Sequence, residues 1–258
     1  MHETFLKKQR FERWFIRLSR IAIFLLFLLM WELASRIGII DSIVFSSPSQ
    51  VAICFWNMVI DKSIFLHIGI TLYETIASFV LVTVFSILIA MILWFSPMLL
   101  SIGEPFLVVL NSLPKSALAP LLIVWLGATQ TTIIVAGISV AIFGSILNMT
   151  TSFKEMDPDK IKLIYTLRGT KFQALTKVVI PGSIPAIISN MKVNIGLCLV
   201  GVIIGEFLAA RRGLGYLIIY SSQVFKLDWL LMSICVLCVI AMALYSLINF
   251  IEKIKADA

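Results

Sequence analysis

The chain has 258 residues, of which 60% are hydrophobic and 14% charged, with a formal net charge of +7 and a mean hydropathy of +1.04. Too little polar surface remains to cover a soluble globule, and the apolar runs are far longer than the roughly 10-residue alternating segments of a membrane barrel. The chain therefore reads as an all-α polytopic membrane protein, and its positive charge as a consequence of membrane topology, with no nucleic-acid partner expected.

Residues 1–18 form a basic segment containing Lys7, Lys8, Arg10, Arg13 and Arg17. The apolar run that follows continues through Glu32 and Arg36 with no small-x-small cleavage site, which predicts a retained anchor. Those two charges stand i,i+4 with the acid first, the better pairing order. A transmembrane domain is expected over 19–251, with about six helical spans near 19–40, 67–95, 104–126, 131–151, 183–207 and 229–251, and a tail at 252–258.

The third span is the most irregular. Pro105, Pro114 and Pro120 interrupt it, and Asn111, Ser112 and Lys115 are polar at its middle. Broken helices at membrane depth are tolerated where they face protein or water, and a mid-span lysine costs several kcal/mol unless hydrated or paired. Lys115 and Asn111 are accordingly candidates for a translocation path. The alternatives for Lys115 are a structural pair with Glu104 or Glu74, or a side chain that snorkels to the interface.

Between the fourth and fifth spans lies a charged loop, 152–182. Residues 154–177 carry six basic side chains, yet Ile161, Ile164, Tyr165, Leu167, Phe172 and Leu175 give the segment an amphipathic pattern suited to docking. Fourteen basic residues precede the first span, sit in this loop or follow the last span, whereas five lie on the opposite face. The positive-inside rule then places the loop and both termini in the cytoplasm, in a multi-pass cell-membrane protein.

The fifth span combines Asn190, Lys192 and Asn194 with Gly201 and Gly205, a GxxxG pair that lets another helix approach closely. Asn194 is open between lining a path and packing. Glu206 stands at the far end of this span, and Gly213-Leu214-Gly215-Tyr216 marks a structured external loop over 207–228, where Arg211 and Arg212 could face a partner. Cys235-Val236-Leu237-Cys238 has the spacing of a redox or zinc pair, but it sits in an apolar run with no second pair and no nearby histidine. It reads as helix packing, and no metal is expected.

No HExxH, GxSxG, strand-linked GxGxxG or GxxxxGK[ST] motif occurs, so neither catalysis nor ATP binding is expected of this chain, and it carries no cofactor of its own. Uphill transport would draw its energy from an ion gradient or from another polypeptide. An ion-coupled secondary transporter is the alternative; such proteins usually show inverted internal repeats, and none is visible between 1–130 and 131–258. An intramembrane enzyme would need a nucleophile and base within the spans, and no such pairing stands out.

The run Ile161-Lys162-Leu163-Ile164-Tyr165-Thr166-Leu167-Arg168-Gly169-Thr170-Lys171-Phe172-Gln173, closed by Pro181-Gly182-Ser183-Ile184-Pro185, resembles the coupling loop of ABC-importer permeases of the nitrate, sulfonate and taurine type. Ser47-Pro48-Ser49 before an amphipathic 50–60, Leu118-Ala119-Pro120 through Trp125-Leu126-Gly127, and Glu206 followed by Arg212-Gly213-Leu214-Gly215-Tyr216-Leu217-Ile218 resemble the same family in its order, over roughly 46–250. The resemblance implies a type I importer permease: a six-helix path subunit paired with a second copy of itself, two cytoplasmic ABC ATPases that bind ATP and magnesium, and an extracytoplasmic solute-binding protein. Leu167, Arg168, Gly169, Thr170, Lys171 and Phe172 would then couple to the ATPase, and Lys115, Asn111, Asn194 and Glu206 would border the path. The chain departs from the family in four places, two of them being Lys162-Leu163-Ile164-Tyr165, where the family's loop usually begins Glu-Ala-Ala-Arg, and Lys115, where the family often has proline or histidine. Arg168-Gly169 replaces a glycine directly after the leucine of the central turn, so Gly169 is expected to supply the positive-φ turn one residue late, and Glu74 stands where the family tends to have a basic residue.

Overall fold

The computed structural model describes residues 2–37 and 46–256. Eleven helices are labelled here: α1 His2–Arg36, α2 Pro48–Ile60, α3 Ser63–Phe95, α4 Pro97–Ser112, α5 Lys115–Leu126, α6 Gln130–Lys154, α7 Pro158–Thr166, α8 Lys171–Ala174, α9 Ile184–Ala209, α10 Leu214–Gln223 and α11 Leu227–Ala256. Among the described residues five helices are long and apolar enough to cross a membrane, and six crossings result if the bent pair α4 and α5 counts as one.

The centre of the molecule is the bundle of α3, α6 and α9, which pack on one another through small residues. Along α3 the buried stripe Thr71, Glu74, Thr75, Ser78, Val82, Ser86, Ala90 and Leu93 recurs at three- and four-residue spacing. A Cβ on Gly201 of α9 would lie 2.8 Å from Gly137 Cα of α6, and one on Gly205 would lie 3.1 Å from Ile133 Cα. The GxxxG pair is therefore a helix-packing device, as its spacing suggests. Ser78 ties in the third helix by donating to the Ile134 carbonyl at 3.0 Å. Around this centre, α2, α10 and α11 share an apolar core with α9 that includes Met58, Leu199, Leu217, Met232 and Ile240.

The helix starts follow capping chemistry. Ser47, Ser96, Thr129 and Asp157 each accept a backbone N–H of the turn they precede, and proline opens α2, α4 and α7. Glu32 and Arg36 pair at 2.8 Å as their order predicts, and Glu32 also receives Ser49 Oγ at 3.0 Å, tying α1 to the start of α2.

Two expectations are revised. The interruption expected within the third span is a break between α4 and α5, which are bent by 94°. Pro105 and Pro120 are carried inside helices, whereas Leu113, extended at φ −64 and ψ 140, shows the usual effect of a following proline and breaks the chain at Pro114. The basic segment 1–18 is continuous with the first span in α1. Cys235 and Cys238 face outward rather than packing against the rest of the chain. Expected span residues 38–40 and tail residues 257–258 lie outside the described residues.

Candidate functional site

The segment joining α6 to α9 folds as an elbow. Asp157 and Pro158 start α7, which ends in a tight turn where Gly169 N–H donates to the Ile164 carbonyl at 2.8 Å and Arg168 N–H to the Tyr165 carbonyl at 3.0 Å. This pair of bonds places the left-handed residue of the helix end at Arg168, whose φ is 58. The expected positive-φ position at Gly169 is thus corrected by one residue. Gly169 is needed for a different reason: a Cβ there would lie 2.7 Å from the Ile164 carbonyl oxygen. Thr170 and Gln173 then form a reciprocal capping box that starts α8.

Beyond α8 the chain widens into a π-helical turn, Leu175–Val179, and a further turn, Ile180–Gly182. The wide turn falls where the ring of Pro181 would collide with the carbonyl of residue 177 in a regular helix. Leu175 and Val179 are buried in one cluster with Phe153 and Met149 of α6 and Ala90 of α3. Lys171 adds a polar tie, donating to the Phe95 carbonyl at 2.8 Å with its ammonium 5.5 Å from the Trp94 ring centre.

The opposite side of the elbow is apolar and uncovered. Leu167 is 72% exposed and Phe172 63%, beside exposed Leu163. Exposed apolar side chains on the spans face hydrocarbon, but these stand among Lys160, Lys162, Arg168 and Lys177, a setting that hydrocarbon does not tolerate. Covering a Leu or Phe side chain stabilises by about 1.5–3 kcal/mol. Two uncovered apolar tips thus stand on a rigidly capped turn. The amphipathic pattern divides accordingly: Leu175 is buried at the root, Ile161 and Ile164 are half-buried, and Tyr165, Leu167 and Phe172 are outside.

The four path candidates fall into two groups. Lys115 and Asn111 flank the Pro114 break, Asn111 exposed and Lys115 half-buried, with Lys115 Nζ donating to the Asn111 carbonyl. Glu104, the alternative partner for Lys115, instead pairs with Lys154 at 3.5 Å. Asn194 is buried and donates to Ser145 Oγ at 2.8 Å, as Asn190 does at 2.7 Å; the packing alternative is the one this geometry favours. Glu206 is also buried. It accepts Thr71 Oγ1 at 2.6 Å and Gly215 N–H at 2.5 Å, at the start of α10. Gly213 and Gly215 allow this approach, because a Cβ on either would strike the Glu206 side chain, and Gly213 has a φ of 116.

Sequence reasoning missed the ion pair of Lys192 with Glu252 and the hydrogen bond from Gly213 N–H to His67 Nδ1 at 3.0 Å. Both join residues more than 50 positions apart, beyond any local pattern.

The model of the family described as "Binding-protein-dependent transport system inner membrane component" matches residues 82–254. A riboflavin transport system permease of Chloroflexus aurantiacus is 24% identical, over 89% of this chain and 86% of its own length. The taurine transport system permease of Escherichia coli is also 24% identical, over 84% of this chain and 81% of its own. A chain from the crystal structure of an amino acid ABC transporter with histidines shares the fold at a TM-score of 0.57 and 18% identity, over 77% of this chain and 97% of that one. With two thirds of its length under that family model, a helical multi-pass architecture and an uncovered apolar elbow, the chain belongs to the inner-membrane components of binding-protein-dependent transport systems and is the permease subunit of an ABC importer.

Proposed function

We propose that the elbow at Leu167–Phe172 docks in a cleft of a cytoplasmic ABC ATPase, and that two copies of this chain with two such ATPases and an extracytoplasmic binding protein form the importer. The observation that carries this reading is the pair of uncovered apolar tips on a capped turn whose root is built into α3 and α6. The loop end is cytoplasmic in this reading, with both termini on the same side, by the excess of basic residues there. ATP and magnesium bind the partner, whose closing and opening push the elbow and rock α3, α6 and α9 between outward-open and inward-open arrangements. Of the four path candidates, Lys115 and Asn111, tied to one another at the Pro114 break, would meet a solute, while Asn194 and Glu206 hold helices together. The cargo class is a small polar solute, of the kind for which the relatives are named: one for taurine, one for riboflavin.

The test is purification of the tagged chain from its native membranes. Wild-type protein should bring down a polypeptide with a nucleotide-binding loop, and the Leu167→Asp, Phe172→Asp double variant should insert normally and bring down at least tenfold less. Undiminished co-purification of that polypeptide would overturn the docking role.

A further inference from the structure

Between the elbow-side halves of α6 and α9 lies an open groove of about 280 Å³. Asn148, Thr151, Ser152, Ser189 and Asn190 supply its polar lining and Val193 part of its apolar one, and among the described residues no charged side chain lines it. By the share of volume water takes in the liquid, it holds about nine waters, or a solute of roughly that many heavy atoms.

The groove continues a polar stripe that starts deeper in the bundle. Asn111 Oδ1 lies 3.2 Å from where a Cβ on Gly144 would stand. Gly144 is ten residues from the elbow end of α6, about 15 Å along the axis, near the middle of a hydrocarbon layer of about 30 Å. Asn148, Thr151 and Ser152 follow Gly144 at helical spacing on one face. The stripe thus runs from the path candidate Asn111 toward the elbow.

These groups are not spent on helix packing. Thr150 and Ser152 each donate to the carbonyl four residues back, at 2.7 and 2.9 Å, the usual way a hydroxyl satisfies itself on a helix in lipid. Thr151 and Ser189 are exposed, and among the described residues their hydroxyls have no hydrogen-bond partner. Asn148 is exposed as well. Buried Asn190, which donates to Ser145 Oγ at 2.7 Å, accepts an N–H of Asn148 at 3.4 Å. It thereby orients a carboxamide that still has an acceptor and a second N–H to offer. Lipid serves none of these groups.

An ion taken from water into this lining would meet no opposite charge, whereas a neutral solute exchanges its hydrogen bonds to water for ones to amide and hydroxyl groups. Lys154, at the elbow end of α6, is paired with Glu104 at 3.5 Å, and Lys115 donates to the Asn111 carbonyl at the Pro114 break, outside the lining.

We propose that this groove is a solute site on the path. It takes small uncharged molecules with a donor and an acceptor side by side, as on an amide, ureide or lactam edge, paired with the Asn148 carboxamide and the Thr151 and Ser189 hydroxyls. As a step in transport the site rests on the importer reading. As a binding site it does not depend on elbow docking, which co-purification tests, so either can fail while the other stands.

The experiment uses open fragments of native membranes, reached from both faces, that hold the chain with its partners. In a Cys235→Ala, Cys238→Ala background, Thr151→Cys, Ser189→Cys and, for comparison, Met242→Cys on the apolar face of α11 are exposed to a membrane-impermeant, trimethylammonium-bearing thiosulfonate. The labelling rate is read by mass on the purified chain. Positions 151 and 189 should react at least tenfold faster than 242, because the thiolate forms and meets this reagent in water. At least one of uracil, pyrrolidone and N-methylurea should slow that labelling with saturation, at least fivefold, while sodium acetate and methylammonium chloride at matched ionic strength should not. Asn148→Ala should label at 151 as before and weaken the protection at least tenfold; if that variant does not fold, Ser189→Ala, read at 151, decides in its place. The proposal fails if 151 and 189 label no faster than 242, because a second copy or lipid would then cover the groove. It also fails if no neutral probe protects, if the ions protect equally, or if protection survives the substitution.

Discussion

The two ends of the bundle solve opposite problems. At the elbow the backbone is fully engaged by a left-handed helix end, a capping box and a buried root, while apolar side chains stay out. At the far end, glycines let a helix start close on Glu206, and the polar groups Thr71, Glu74 and Glu206 are drawn inward. Apolar tips outside a rigid turn are what the proposed docking in an ATPase cleft requires, and the packed glycines and satisfied polar groups at the far end hold the helices α3, α6 and α9 that run between the two.

The largest expected effect breaks the connection itself. Gly201→Leu would drive a side chain into the Gly137 backbone, where no flexible group can yield; such overpacking costs at least about 1–3 kcal/mol. Little folded protein should be recovered from membranes, as size-exclusion chromatography would show. Gly169→Ala comes next, because its Cβ meets the Ile164 carbonyl. It should leave the spans inserted, distort the elbow and lower ATPase co-purification several-fold.

Lys171→Met sharpens the comparison by separating gripping from pushing. Its ammonium ties the elbow to the end of α3, so the variant should retain the ATPase but take up less solute per ATP hydrolysed, by several-fold, with Lys171→Arg restoring much of the yield. Equal uptake per ATP in the methionine variant would show that the tie transmits nothing. The smallest effect is a gain. Arg168 holds a left-handed conformation that costs a non-glycine residue about 1–2 kcal/mol, and glycine returns roughly half of that as unfolded-chain entropy. Arg168→Gly should therefore raise apparent Tm slightly, by up to about 1 kcal/mol in stability, without releasing the ATPase.

Much of this was legible in the sequence, for physical reasons. Long apolar runs allow few structures in lipid, so an all-helical membrane fold follows from their length. The elbow was visible because its amphipathic pattern, its turn residues and its charges are local. The same locality limited the reading at Pro114: three prolines looked alike, and only the structure distinguishes the one whose preceding residue turns extended. Gly169 was assigned the wrong service because a glycine required for close approach and one required for positive φ are the same letter. Asn194 and Ser145, or Glu206 and Thr71, meet across 49 and 135 positions, and nothing periodic announces such pairs. Glu74 stood out only as a departure from a pattern, and its burial beside Glu206 became visible when the surrounding helices were in place.

The most direct measurement is site-specific photo-crosslinking in native membranes, with a photoreactive residue at 167, 172 or, as a comparison, 115. The account predicts adducts with a nucleotide-binding polypeptide from 167 and 172 and none from 115. Adducts from 115 alone, or none from the elbow, would contradict it.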